Sequence, residues 1–329
     1  MAQKIIFKNK FLSFLILFIS FELSSSIDDY FPYDISPTSS NYGETGLMEM
    51  PTARLMEEGS LKFGISASYP IEFTYLVASP FSWFEATYRY SEQKNLKYSP
   101  ARYSGNQSLK DKGFDVKFKL LNESYYFPNL AFGIRDIAGT GRFSGEYLVG
   151  SKKMGQIDIS LGIGWGYLGQ DGNIRNPLIS VDENFQLRNS SEGEGGKFNY
   201  LDWFSGERAA IFGGLEYSLQ RYGLNLKLEY DTTNPDKGYS GPPLEVKSRF
   251  NFGVTRSFSN LLDLGLSYER GSELRLFFSL KGNYGKKGMV PKVDPPRNVI
   301  ALDQRQKDRI KNDKGLFYRS LNRNLREER

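Results

Sequence analysis

The 329-residue chain contains neither cysteine nor histidine. Without cysteine there is no disulfide framework, thiolate metal site, cysteine nucleophile or lipid-modified cysteine. Without histidine the commonest general base and metal ligand near neutral pH is missing, and Ser/His nucleophile arrangements cannot be built. The expectation is a protein that is not an enzyme and needs neither metal nor cofactor. Long apolar runs are scarce as well. Only 39% of residues are hydrophobic and mean hydropathy is negative, which excludes a bundle of membrane helices of about 20 apolar residues each. The apolar run at residues 11–21 is shorter than that. Preceded by Lys4, Lys8 and Lys10 and followed by Ser24, Ser25 and Ser26, it reads as a secretory signal peptide over residues 1–26, with an uncleaved anchor as the alternative.

What the chain does have is aromatic and glycine content: 25 Phe and 21 Tyr beside 33 Gly, a bias toward strands and the turns between them. Period-two alternation recurs throughout. Leu224, Leu226, Leu228 and Tyr230 alternate with Asn225, Lys227, Glu229 and Asp231; Leu262, Leu264, Leu266 and Tyr268 alternate with Asp263, Gly265, Ser267 and Glu269. Val246, Phe250, Phe252 and Val254 face away from Lys247, Arg249, Asn251 and Thr255, and Leu274, Leu276, Phe278 and Leu280 from Arg275 and Lys281. With further strands starting near Leu61, Ile71, Ser82, Gly113, Leu130, Phe143, Ile157 and Arg208, the pattern predicts an all-β, antiparallel transmembrane β-barrel of about 12 strands.

Connection lengths support it. Short joints near residues 78–81, 123–129, 154–156, 220–223 and 257–261 alternate with connections that include long ones near 92–112, 169–207 and 233–245, the asymmetry of outer-membrane barrels. Both termini then fall in the periplasm. A Lys or Arg at the bilayer midplane costs roughly 2–4 kcal/mol, so the apolar set faces outer-membrane lipid. Lys117, Lys119, Lys227, Glu229, Arg249, Glu269 and Arg275 face the lumen. A soluble β-sandwich would explain neither the loop asymmetry nor the one-sided charge.

Flanking the barrel (60–284) are an N-terminal periplasmic segment (27–59) and a short periplasmic C-terminal extension (285–329), polar and helical from Ala301 to Lys311, ending in a charged run that reads as truncated. That extension holds 13 Lys and Arg against 6 Asp and Glu. That surplus exceeds the formal net charge of +5 of the whole chain, so the chain reads as an acidic barrel with a basic tail and not as a nucleic-acid binder.

Smaller motifs have plain readings. Gly164, Gly166 and Gly169 fit G-x-G-x-x-G without the helix that fingerprint needs. They read instead as the end of a strand showing Gly162, Gly164 and Gly166 to the lumen and Ile163, Trp165 and Tyr167 to lipid, where glycine admits another segment or a ligand. Glu192 and Glu194 sit in a glycine-rich, solvated loop more readily than in a cation site. Residues 136–141 read as a tight turn, and Trp83, Tyr88 and Tyr90 as interfacial aromatics. Glu229 and Arg249, placed on neighbouring strands, form either a charge ladder or part of a polar track for an anionic polysaccharide.

Two stretches carry a family resemblance: GETGLMEMPTARLMEEG at residues 43–59, and KDKGFDVKFKLLNES with AFGIRDIAGTGRFSGEYLVGSKKMGQIDISLGIGWGYLG within residues 110–169. They resemble the YjbH-type outer-membrane proteins of exopolysaccharide and capsule operons, over most of residues 43–290. The matching motif positions are Pro51, Thr52, Ala53, Arg54, Asp136, Gly139, Thr140 and Gly141. The resemblance implies a barrel in the outer membrane of a Gram-negative bacterium, involved in production or export of an extracellular polysaccharide, without enzymatic activity and working with periplasmic partners of the same operon. The alternative is a structural or adhesive surface barrel without a transport role. Two departures stand out: family members are longer, and some look like lipoproteins.

Overall fold

The computed structural model describes residues 37–189, 200–235, 245–258, 261–285 and 302–327; the expected signal peptide lies outside them. Alternating residues build a meander of strands: β1 (Ser60–Ala67), β2 (Ile71–Phe81), β3 (Phe84–Lys97), β4 (Ser108–Leu121), β5 (Asn129–Arg135), β6 (Gly145–Met154), β7 (Ile157–Gly164), β8 (Ile174–Arg175), β9 (Arg208–Leu219), β10 (Leu224–Tyr230), β11 (Phe250–Phe258), β12 (Leu262–Glu269) and β13 (Glu273–Asn283). Apart from the two-residue β8, which adds to β9 at Ala209 and Arg208, these pair antiparallel in sequence order. β1 pairs β13 from Ser60 opposite Asn283 to Ala67 opposite Leu276, which closes a 12-stranded barrel. Closure removes the two open edges that a sheet of this size would otherwise expose.

The expected connections are there, with shifted ends. The first short turn falls at Ser82 and Trp83, and β4 starts at Ser108, five residues before the expected Gly113. Its early residues, Leu109 to Lys112, pair with β3 although their alternation is weak. The barrel begins and ends at its short-turn end, where the Tyr284 amide donates to the Gly59 carbonyl (3.0 Å).

The two faces of the wall differ as the alternation requires. Outward Phe63, Ile65, Leu76, Phe252, Leu266 and Leu276 are exposed, a surface suited to hydrocarbon. Inward Lys117, Lys227, Glu229, Glu269 and Arg275 are each at most 4% exposed. Tyr88 lies mid-wall, opposite Leu76 and Phe114 rather than near a strand end. Trp83 occupies a turn and stacks on Phe81 at 5.4 Å.

The outer surface is not uniform. Phe132 and Ile134 point outward from β5 yet are buried, because residues 165–189 and 200–207 fold back against the outside of the wall. Trp165, Ile179, Phe185 and Phe204 from this lobe join them in one apolar cluster, with Val116, Phe118 and Ile163 at its margin. Trp165 and Tyr167 therefore do not meet lipid as their alternation implied. The strand ends at Gly164; at Gly166 the backbone turns through φ +61° into a 3-10 turn, sending Trp165 under the lobe and Tyr167 into the lumen beside Tyr42 and Phe143.

The unit of residues 290–329 contains a helix, Leu302–Glu327, of 26 residues. It runs well past the expected Lys311, since a lone glycine such as Gly315 costs a helix only about 1 kcal/mol. Its side chains from Arg305 to Arg319 are exposed.

Candidate functional site

Residues 38–56, read from sequence as part of a separate periplasmic segment, instead occupy the barrel lumen. Every residue from Thr38 to Ala53 is buried. The reason is electrostatic: a ring of inward charges in a closed wall needs partners, and this segment brings two buried carboxylates, Glu44 and Glu49, and a run of backbone amides to meet them.

Glu229 is the main anchor. Its carboxylate accepts the backbone amides of Met48 (2.9 Å), Glu49 (2.8 Å) and Met50 (3.1 Å), plus the Asn251 side-chain amide (2.8 Å). Beside it, Lys227 donates to the carbonyls of Gly46 and Leu47, both at 2.8 Å. Across the lumen Lys117 donates to the Thr45 carbonyl, and Glu85 accepts from the Thr45 amide (2.7 Å). The plug's acids pair with the wall's bases. Glu44 meets Arg135 (2.6 Å) and accepts from the Tyr147 hydroxyl (2.5 Å). Glu49 meets Arg270 (3.0 Å) and accepts from Tyr42 (2.6 Å) and Asn41 (2.7 Å). Burial works against charge on Glu49, but Arg270, Arg275 and these hydrogen bonds hold its carboxyl down at about 2. It is ionised throughout the physiological range.

Two glycines make room for the tip. A Cβ on Gly214 of β9 would sit 2.6 Å from Leu47, and one on Gly253 of β11 would sit 2.7 Å from the Met48 sulfur. Around Thr38, Thr45, Arg54, Asp158 and Glu216 the space left is about 10 Å³, about one water. Conduction through this arrangement would require the plug to move.

The four motif residues of the plug sit where it leaves the wall. Pro51 bridges to Gly46, and the Ala53 amide donates to Ser151 (2.8 Å). Arg54 forks onto Asp158 (2.8 and 2.7 Å) and reaches Glu123 at 2.6 Å; Thr52 is buried alongside. Asp136, Gly139, Thr140 and Gly141 form the connection between β5 and β6. Asp136 itself takes the positive φ of 58°, as does Gly141 at 86°. The Asp136 amide donates to Asp115 (2.8 Å), and Thr140 donates to Asp111 (2.7 Å). Burial, only partly countered by Arg89, pushes the Asp136 carboxyl up to about 6.

Of the lumen-facing candidates, Lys117, Lys227 and Glu229 grip the plug backbone. Glu269 accepts from Asn41 of the plug (2.9 Å) and pairs with Arg275 (3.2 Å). Lys119 is on the inner face but only half-buried, where β4 bulges between Lys119 and Leu121. Arg249 departs from expectation. It precedes β11, and the residue opposite Glu229 is Asn251; Arg249 instead pairs with Asp171 and donates to the Thr233 carbonyl (2.5 Å). The expected Glu229–Arg249 ladder is therefore not formed, because the register places Arg249 one step beyond the strand, at the rim. Glu192 and Glu194 lie outside the described residues.

Sequence reasoning missed the plug itself, together with Glu44, Glu49, Arg89, Arg135 and Arg270. The available signal was the surplus of inward charge, which demands an internal partner.

A closed 12-stranded antiparallel barrel with an apolar exterior, a charged interior and an internal plug defines a β-barrel of the membrane-spanning class. The chain belongs to the YjbH family, described as "Exopolysaccharide biosynthesis protein YbjH", whose profile matches residues 38–328. It is 39% identical over 278 residues to the "Uncharacterized lipoprotein YjbH" of Escherichia coli (strain K12), covering 84% of this chain. It spans 39% of that relative's length, and it has no cysteine to carry a lipid. Among solved structures it is similar to the KdgM porin (TM-score 0.36, 8% identity, 68% of this chain and 97% of that one). The NanC porin (0.33, 9%, 68% and 98%) and outer membrane phospholipase A from Escherichia coli (0.28, 6%, 69% and 92%) also match.

Proposed function

We propose that this chain is a non-enzymatic outer-membrane barrel of a Gram-negative bacterium that serves production or export of an exopolysaccharide, held closed at rest by its own residues 38–56. The observation that carries the reading is the plug's attachment. Glu229 and Lys227 on one side of the lumen, and Lys117 and Glu85 across it, bind plug backbone amides and carbonyls, a device with no use in a passive, permanently open pore. Charge pairs that grip the plug in the lumen can be taken over by other polyanionic or polar partners once the plug is displaced, so the same wall suits a gated passage for a charged polymer. The basic helix at residues 302–327 supplies a surface for periplasmic partners.

The test is a strain deleted for this gene, with secreted polymer quantified, alongside fractionation and heat-modifiability of the expressed chain. Reduced extracellular polymer with a heat-shifted band in the outer membrane is the expected result; normal secretion sinks the reading. The second reading, an adhesive or structural surface barrel, draws on the lobe of residues 165–189 and 200–207, packed on the outer wall. Deleting residues 172–206 separates the two: loss of adhesion with normal secretion favours the surface role.

A further inference from the structure

With the lumen filled, a polymer that meets this protein first meets its rim. At the loop end, the end of β10, the start of β9, the residue before β11 and the chain leaving the 3-10 turn after β7 enclose an open cleft of about 450 Å³, lined by Gln170, Asp171, Gly172, Arg208, Tyr230 and Arg249. We propose that this cleft binds an anionic saccharide. The inference rests on the polysaccharide reading above and names the chemistry its surface site would take.

Four features argue for it. Arg208 donates Nε to the Gly172 carbonyl at 2.7 Å, which fixes the guanidinium plane while its two terminal amines have no partner among the described residues. That leaves a preset fork for a carboxylate or phosphate. Gly172 makes the contact possible, since a Cβ there would come within 2.5 Å of the Arg208 Cβ. Tyr230 is exposed on the cleft wall and braced edge-on by Phe250 at 5.5 Å, offering a fixed ring face to the C–H face of a sugar. Finally, Arg249 neutralises Asp171, so of the three charges that line the cleft one positive charge remains over, on Arg208. A neutral ligand would leave that guanidinium unused.

Free acidic polymer and the phosphorylated sugars of outer-leaflet lipid share this chemistry, and the experiment separates them. The full chain, purified in detergent and checked for folding by heat-modifiability, is titrated calorimetrically with oligomannuronate, with neutral maltooligosaccharide and with deacylated lipopolysaccharide. Binding of an acidic saccharide at least about tenfold tighter than the neutral one, lost about tenfold in Arg208→Gln and in Tyr230→Leu and partly restored in Arg208→Lys, supports the site. Whichever acidic ligand binds identifies the source. Equal affinity for acidic and neutral sugars, no binding of any, or full affinity in Arg208→Gln overturns it. A failure here leaves polymer secretion by the deletion strain unaffected as a test, so the cleft and the broader function fall separately.

Discussion

The barrel wall holds two segments of its own chain, one inside and one outside, by opposite means. The plug at residues 38–56 is held by charge: carboxylates and ammonium groups of the wall take its backbone amides and carbonyls, and ion pairs take its two buried acids. The lobe of residues 165–189 and 200–207 is held by apolar packing, Phe204 lying 5.7 Å from Phe132 and 5.2 Å from Trp165. An ion pair between Arg188 and Glu146 (2.8 Å) adds to it. The difference follows from the faces that each segment meets. An inner face made of charged residues can hold a segment only by satisfying those charges, while an outer face made for hydrocarbon holds one as a core does. Contacts of the first kind can be taken over by another polar or charged ligand, whereas contacts of the second kind cannot. On the function proposed above, the plug is the segment that would be released and the lobe the one that stays.

The strongest way to break this contrast is to remove the plug. Deleting residues 38–56 is expected to convert a barrel that carries no current in planar bilayers into an open channel, whereas deleting residues 172–206 leaves it closed. Current through the intact chain at rest would show that the plug does not seal the lumen.

Next in size is Glu229→Ala. It strips the acceptor from three plug amides and from Asn251, and leaving buried donors unpaired is expected to cost roughly 3–5 kcal/mol. The measurement is the denaturant midpoint of the purified barrel, with channel flickering in the bilayer as the local readout. A change below about 1 kcal/mol would mean that water replaces the carboxylate without penalty.

On the outer side, Phe204→Ala should cost about 3 kcal/mol, confined to the lobe. Limited proteolysis between residues 175 and 207 should accelerate while conductance stays at the resting level. If instead the variant opens the channel, plug and lobe are coupled through the wall and the contrast drawn above fails.

The wall was legible from sequence and its two guests were not. Strands such as Leu224–Tyr230 announce themselves because lipid and lumen impose opposite demands on adjacent residues. The plug has no such alternation. Its acids, Glu44 and Glu49, look like solvated loop residues until Arg135 and Arg270 close around them, and those bases come from positions about 90 and 220 residues away along the chain. The lobe was visible only as a long connection. That it covers Phe132 and Ile134, which alternation alone assigns to lipid, depends on Gly166 turning the chain outward, a backbone event that two neighbouring glycines in a regular pattern conceal. Arg249 was misplaced by two residues of pairing, since Asn251 stands opposite Glu229, and it lies at the rim cleft instead of in the wall.

The smallest expected effect tests whether the connection between β5 and β6 stores a cost that neither guest needs. Asp136 is buried, its Oδ1 has no hydrogen-bond partner among the described residues, and its carboxyl is pushed up from an ordinary 3.8 to about 6. A carboxyl whose folded value lies above its unfolded one favours folding at low pH and loses that contribution as pH rises through the folded value. Wild-type stability should therefore fall between about pH 4 and 6 from this group. Asparagine tolerates the φ of 58° and keeps an acceptor for the Phe143 amide. Asp136→Asn should thus gain about 1 kcal/mol at pH 8, less than the full linkage value because attraction to Arg89 is lost. It should also flatten the pH dependence of the denaturant midpoint in that window. A variant that is destabilised equally at pH 4 and pH 8 would show that Asp136 is held by Arg89 as an ion pair, and that this connection, like the plug, is secured by charge.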